Sequence, residues 1–172
     1  MRKLLNRYSL TALLLAAVLS LNIASTKAAD VKPTRIGDWF VNCAEKEEMG
    51  SCILVQEVMM EREGQKGRLV SLTMVKAPDG SVKGRFLLPL GVFLPEGFIF
   101  QVDEDEQVFQ APIQSCNKAG CMLIVNMDET VLSKFRQGNE VKVFYSIQQG
   151  QRFQTKMSLK GFTKAFSEAF NG

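Results

Sequence analysis

The residues best suited to covalent chemistry are four cysteines, which occur as two closely spaced pairs in a chain of 172 residues. Eight residues separate Cys43 from Cys52, and four separate Cys116 from Cys121. The chain has no histidine. A Ser-His-Asp triad, a Cys-His nucleophile and a His-ligated zinc ion are therefore excluded.

Both cysteine pairs flank short turn-like stretches. Two sulfur atoms that close a hairpin already lie near each other, so the spacing predicts the disulfides Cys43–Cys52 and Cys116–Cys121. A four-thiolate zinc site is the rival interpretation, but the two pairs do not both have the short spacing of such sites. A redox-active pair would need a C-x-x-C motif, which is missing. We expect two structural disulfides.

Carboxylates are the remaining candidates for catalysis or metal binding. The acidic turn 103–106 lacks the spacing of a calcium loop. A glycosidase needs two carboxylates across a cleft, and nothing in the sequence places such a pair. No catalytic, cofactor-binding or metal-binding residue is predicted, and we expect no enzymatic activity. A carboxylate-dependent hydrolase, or an inhibitor of one, acting on envelope or host glycans is the alternative. The acids considered for it are Glu57, Glu61, Glu63, Asp128 and Glu129.

The first 28 residues have the pattern of a secretory signal peptide. Basic residues precede an apolar run, Leu10–Leu19, and small residues precede a cut after Ala28, with Ala29 as a second candidate. A membrane anchor fits the sequence less well, because a spanning helix needs about 20 apolar residues and this run is shorter. Residues 29–172 are predicted to form one domain without a transmembrane segment. We expect it in the periplasm or secreted, with association with the outer membrane left open.

The charge of the mature chain argues against nucleic acid as a partner. Four of the 21 basic residues lie in the predicted signal, which leaves 17 basic against 18 acidic residues and a net charge of −1. Nucleic-acid binding needs a concentrated basic face. The expected partner is instead another protein or a surface glycan, and the oligomeric state stays open.

Alternating apolar and polar residues predict a mainly β protein, a β-sandwich or jelly-roll-like pair of antiparallel sheets. One short internal helix and a C-terminal helix interrupt this pattern. Val141, Val143, Tyr145 and Ile147 are predicted to share one strand face. Methionines, including the adjacent Met59 and Met60, are predicted to fill the core. The strands are expected at residues 38–42, 52–61, 69–76, 82–88, 98–102, 107–114, 121–125, 141–147 and 153–159, and the helices at residues 126–138 and around residues 162–170.

Taken in order, several short motifs resemble the invasion-associated locus B family over nearly the whole mature chain. They are Gly37–Cys43 (GDWFVNC), Cys52, Leu88–Val92 (LPLGV) with Gly97, Cys116-x₄-Cys121, a helix over 128–135, and Ser158–Phe162 (SLKGF) before the last helix. The resemblance implies an exported, disulfide-bonded, mainly β protein of the alphaproteobacterial envelope, with a link to host-cell invasion in some members. It implies no catalytic residue.

One of these motifs lies in a strongly apolar stretch, residues 86–100, that prolines and glycines interrupt. Irregular loops carry binding functions more often than strands do. The stretch is therefore a candidate ligand groove, although an ordinary connection between sheets would look the same. The candidate groove residues are Pro89, Leu90, Gly91, Val92 and Pro95.

Overall fold

The computed structural model describes residues 32–44 and 52–170, and in these ranges the chain forms eleven strands and two α-helices. The predicted signal peptide, residues 1–28, lies outside the described residues. The strands are β1 (Thr34–Ile36), β2 (Trp39–Cys43), β3 (Cys52–Arg62), β4 (Gln65–Lys76), β5 (Val82–Leu88), β6 (Phe98–Val102), β7 (Val108–Ala111), β8 (Ser115–Asn117), β9 (Gly120–Asn126), β10 (Glu140–Gln148) and β11 (Gln151–Ser158).

These strands form two antiparallel sheets. The seven-stranded sheet has the order β1-β2-β3-β4-β5-β9-β8, and the four-stranded sheet has the order β11-β10-β6-β7. Their inner faces meet in one core, where the ring of Phe86 lies 4.6 Å from that of Phe98 and 5.6 Å from that of Phe100. The Tyr145 hydroxyl donates a hydrogen bond of 3.1 Å to the carbonyl of Leu69 across the two sheets. The predicted β-sandwich fold is confirmed.

Two helices close the sandwich. Helix α1 (Glu129–Gln137) is capped by Asp128, whose carboxylate accepts a hydrogen bond of 3.0 Å from the backbone N–H of Val131. Gly138 ends the helix with φ −82°, so left-handed backbone is not the reason for glycine there. A Cβ atom at this position would lie 2.3 Å from Val102 Cγ1, so close packing against β6 requires the glycine.

The C-terminal helix α2 (Phe162–Phe170) packs its apolar side into the core. The ring of Phe162 lies 5.1 Å from Trp39 and 5.3 Å from Phe135. It therefore joins the seven-stranded sheet to α1, and the predicted C-terminal helix is confirmed. Neither α-helix within the described ranges meets the length and apolarity that a membrane-spanning helix requires.

The turns that precede Trp39 and Phe162 pack directly on each other. The N–H of Asp38 donates to the carbonyl of Lys160 at 3.1 Å. Gln56, which is 4% exposed, donates from its amide to the carbonyls of Asp38 (3.1 Å) and Ser158 (2.8 Å). This junction fastens the edge of one sheet to the last strand of the other.

Each predicted disulfide joins two directly paired residues of neighbouring strands. Cys43 is bonded to Cys52 between β2 and β3, and Cys116 to Cys121 between β8 and β9. The structure therefore agrees with the predicted pairing.

Four sequence predictions about individual elements were wrong or incomplete. Met59 and Met60 are 51% and 45% exposed rather than buried, because they lie where β3 pairs with β4 alone, beyond the other strands. Ile147 is 55% exposed, because a bulge after Ser146 breaks the alternation of β10. Strands β1 and β8, which have three residues each, were not predicted from the sequence, and the strand predicted over 107–114 ends at Ala111.

Candidate functional site

The predicted groove residues lie in the loop that leaves β5 and enters β6, but they do not share one surface. Leu90 is 60% exposed, whereas Val92 is buried in the core at 9% exposure. Pro89 is half-buried and Gly91 is exposed. Pro95 lies in a short 3-10 turn, Leu94–Glu96. The loop therefore anchors itself through Val92 and presents Leu90 and the turn to solvent.

Two sets of polar contacts hold this loop against the β10–β11 hairpin. The backbone N–H of Phe93 donates to the carbonyl of Ser146 at 2.7 Å. The carboxylate of Glu96 accepts hydrogen bonds from the Ser146 hydroxyl and from the N–H of Gly150, the latter at 2.9 Å. Hydrogen bonds from Ser146 and Gly150 hold the pKa of Glu96 below its usual range. Glu96 therefore serves as an ionised anchor rather than as a proton donor.

An open depression of about 350 Å³ lies between this turn and strand β7. Gly97 allows the turn to lie close to β7, since it has φ +66° and a Cβ atom there would lie 3.0 Å from the carbonyl oxygen of Ala111. The depression contains only one of the predicted groove residues, Pro95. Its full lining is Leu94, Pro95, Gly97, Gln110, Ala111 and Pro112. Gln110 and Pro112 come from β7 and the residues after it, and the sequence analysis did not connect them with the loop.

Gln110, which lines the depression, also lies on the outer face of the four-stranded sheet. Strand register places four side chains in one row across β7, β6, β10 and β11: Gln110, Ile99, Phe144 and Gln154. Ile99 and Phe144 in the middle are half-buried, and the two glutamines at the ends are exposed. We call this set the amide row. The alternation of β10 indicated that Phe144 faces away from the core, but not which residues flank it.

The lysines of this face have acidic partners. Lys142 forms an ion pair with Glu104, and Lys156 forms one with Glu140 at 2.7 Å. The hydrogen bond and charge of Glu140 raise the pKa of Lys156. Positive charge on this face is therefore compensated locally.

The acidic turn after β6 joins that strand to α1 and to the start of β10. Asp103 accepts hydrogen bonds from the backbone N–H groups of Asn139 (3.1 Å) and Glu140 (2.9 Å). Asp105 pairs with Lys134 of α1, and that hydrogen bond lowers the pKa of Asp105. Asp103, Asp105 and Lys134 also line a shallow depression of about 280 Å³. Both carboxylates there already have internal partners, which is unlike an acid–base pair poised over a substrate.

The other acids considered for hydrolysis are also engaged. Asp128 caps α1, and the four glutamates lie in surface ion pairs: Glu57 with Arg68, Glu61 with Lys66, Glu63 with Arg62, and Glu129 with Arg136. In residues 32–44 and 52–170, no three cysteine, aspartate or glutamate residues are grouped so that they could hold a metal ion. The geometry gives the hydrolase alternative no support.

Comparison with known proteins places these features in a family. Residues 39–169 match the family described as Invasion associated locus B (IalB) protein. The chain is 24% identical over 162 residues to Invasion protein B of Bartonella bacilliformis, which covers 86% of this chain and 84% of the relative. It is 27% identical over 129 residues to an Invasion protein B homolog of Brucella abortus, which covers 74% and 73%.

A solved structure shares the fold. The crystal structure of invasion associated protein B from Bartonella henselae superposes with a TM-score of 0.69 at 24% identity, covering 81% of this chain and 96% of that one. The family match spans more than half of the chain, including α1, all but the last residue of α2, and all but the first of the strands described above. The chain therefore belongs to the Invasion associated locus B (IalB) protein family.

Proposed function

We propose that this protein is a non-enzymatic binding factor of the cell envelope, exported to the periplasm or secreted, which contributes to the interaction of a bacterium with a host cell. Two disulfides support export, because such bonds persist in oxidising compartments. The signal pattern of residues 1–28 supports it as well. The link to host cells rests on the names of the relatives, which are called invasion proteins.

The binding role is supported chiefly by the exposed loop around Leu90, which is held in a fixed position and whose nearby carboxylate, Glu96, already has internal partners. The loop carrying Leu90 is held to the β10–β11 hairpin by Phe93 and Glu96, so its backbone is preorganised. Preorganisation reduces the entropy that binding would otherwise cost. The Glu96 carboxylate beside this loop already accepts hydrogen bonds from Ser146 and Gly150, which favours recognition over hydrolysis.

Site-specific photo-crosslinking tests this proposal. A photoreactive side chain replaces Leu90, which is 60% exposed, and the matched control replaces Ile124, which is 42% exposed on the outer face of the seven-stranded sheet. We expect envelope or host-cell material to crosslink at position 90 and not at position 124. Equal crosslinking at both positions, or none at position 90, contradicts the proposed surface. Turnover of an envelope or host glycan by the purified protein contradicts the non-enzymatic role.

A further inference from the structure

We infer that the outer face of the four-stranded sheet binds an uncharged glycan, with Phe144 and Ile99 under the sugar rings and Gln110 and Gln154 at the two ends. The inference deepens the proposed function and rests on it for the biological setting. The amide row and the adjoining depression form the site, and the ligand class follows from their hydrogen-bonding capacity, charge and size.

Hydrogen-bonding capacity points to hydroxyl groups. A glutamine amide offers two donors and an acceptor at one position, which suits hydroxyl groups that both donate and accept. The side chains of Gln110 and Gln154 make no hydrogen bond to another part of the described chain, so their amides are available to a ligand. By contrast, Gln101 on the same face donates its amide to the carbonyl of Asp105.

The charge of the face points to a neutral ligand. Its cations are Lys142, Lys156 and Arg152, and each has an acidic neighbour. Glu104 pairs with Lys142 and Glu140 with Lys156. Arg152 lies near enough to Glu96 for its charge to contribute to the lowered pKa of that group. An anionic glycan would have to compete with Glu104 and Glu140 for the two lysines, whereas a neutral glycan requires no such exchange.

The size and composition of the row suit a chain of sugars better than a protein. Four strands at about 4.8 Å spacing give the row a length of about 14 Å. Its centre offers the flat ring of Phe144 and the aliphatic side chain of Ile99 for contact with the C–H faces of pyranose rings. Protein interfaces are usually anchored by a cluster of Trp, Tyr and Arg side chains, and this row has one aromatic ring.

The depression extends the row at its β7 end. Gln110 belongs to both, since it lines the depression and begins the row. Pro95 and Pro112 form apolar walls there. A linear oligosaccharide lying along the row would therefore place its terminal sugar in the depression.

The test is a titration of the ¹⁵N-labelled, disulfide-bonded protein with maltohexaose, cellohexaose and fully N-acetylated chitohexaose, with an oligogalacturonate hexamer as the anionic counterpart. We expect at least one neutral hexasaccharide to shift the backbone resonances of Ile99, Gln110, Phe144 and Gln154. Each lost amide contact should weaken binding about fivefold, so the double variant Gln110→Ala/Gln154→Ala should weaken it about twenty-five-fold. Gln65→Ala, at an exposed position in the β3–β4 turn region, is the matched control and should leave affinity unchanged.

Several results would overturn the inference: no binding of any neutral hexasaccharide, tighter binding of the anionic hexamer, or neutral binding that the double variant does not weaken. Both substituted glutamines are exposed, so loss of folding is not expected to mask the outcome. If no glycan binds but position 90 crosslinks a protein, the glycan inference fails and the proposed function stands. If a neutral glycan binds but the protein is retained in the cytosol, the proposed function fails and the site stands.

Discussion

Substitution of Gly161 should destabilise the protein far more than the same change at a glycine of similar backbone conformation on the surface. Gly161 has φ +85°, and a Cβ atom there would lie 2.6 Å from the carbonyl oxygen of Ile36 and 2.9 Å from Gly37 Cα. Gly150 has φ +73°, and a Cβ atom there would meet nothing within 4 Å. The pair separates the cost of left-handed backbone from the cost of the contact between the two turns.

The magnitudes follow from these two terms. A non-glycine residue in left-handed backbone costs about 1–2 kcal/mol, so Gly150→Ala should lower the free energy of unfolding by about that amount. Gly161→Ala adds overpacking against backbone, which typically costs about 1–3 kcal/mol and gives about 2–5 kcal/mol in total. The entropy that alanine removes from the unfolded chain is the same in both variants and cancels in the difference.

Urea unfolding measures the difference directly. Trp39 is the only tryptophan, is fully buried and lies 5.1 Å from Phe162, so its fluorescence reports on this junction. We expect the midpoint of Gly161→Ala to lie clearly below that of Gly150→Ala at an unchanged slope. Equal midpoints would refute the argument that the turns before Trp39 and Phe162 lock the two sheets together.

Three further predictions concern single side chains. Burial raises the pKa of Tyr145 to about 12, so this side chain ionises in the unfolded state before it does in the folded state. The free energy of unfolding should therefore fall above pH 10, by about 1.4 kcal/mol at pH 11. Tyr145→Phe should remove that loss, as measured by urea unfolding at alkaline pH. The pKa of Glu96 is lowered in the folded state, so the stability that this carboxylate contributes is present above its unfolded-state pKa and is lost as the pH falls through its folded-state pKa. The free energy of unfolding of Glu96→Gln should therefore depend less steeply on pH in acid. An unchanged pH dependence would contradict the contacts of Glu96 with Ser146 and Gly150. Hydrogen peroxide should oxidise Met59 and Met60 to sulfoxides before the buried Met74, Met127 and Met157, which peptide mass spectrometry can order; equal rates would contradict the exposed hairpin.

The sequence predicted those features that depend on local pattern. The alternation of Val141, Val143 and Tyr145 identified the inner face of β10, and the break in alternation over residues 126–138 identified α1. Close spacing was sufficient to pair the cysteines, because each pair closes a contact between neighbouring strands. In these cases the information lies within about ten residues of chain.

Features that depend on strand length relative to neighbouring strands, or on strand register, could not be predicted from local sequence pattern. Met59 and Met60 look like core residues by type, and their exposure follows only from β4 pairing with β5 from Ser71 onward. The amide row likewise depends on the register of four strands, which brings Gln110 and Gln154 into one line with Phe144. The five candidate groove residues were predicted to share one surface, but Val92 packs in the core and so separates them.

Intact-mass measurement of the protein isolated from its own cells, alkylated before and after reduction, tests the central claim of an exported, disulfide-locked sandwich. The account predicts a mass that lacks residues 1–28 and no alkylation until a reductant opens both cystines. A mass that retains the first 28 residues, with four thiols alkylated in the unreduced sample, would contradict it.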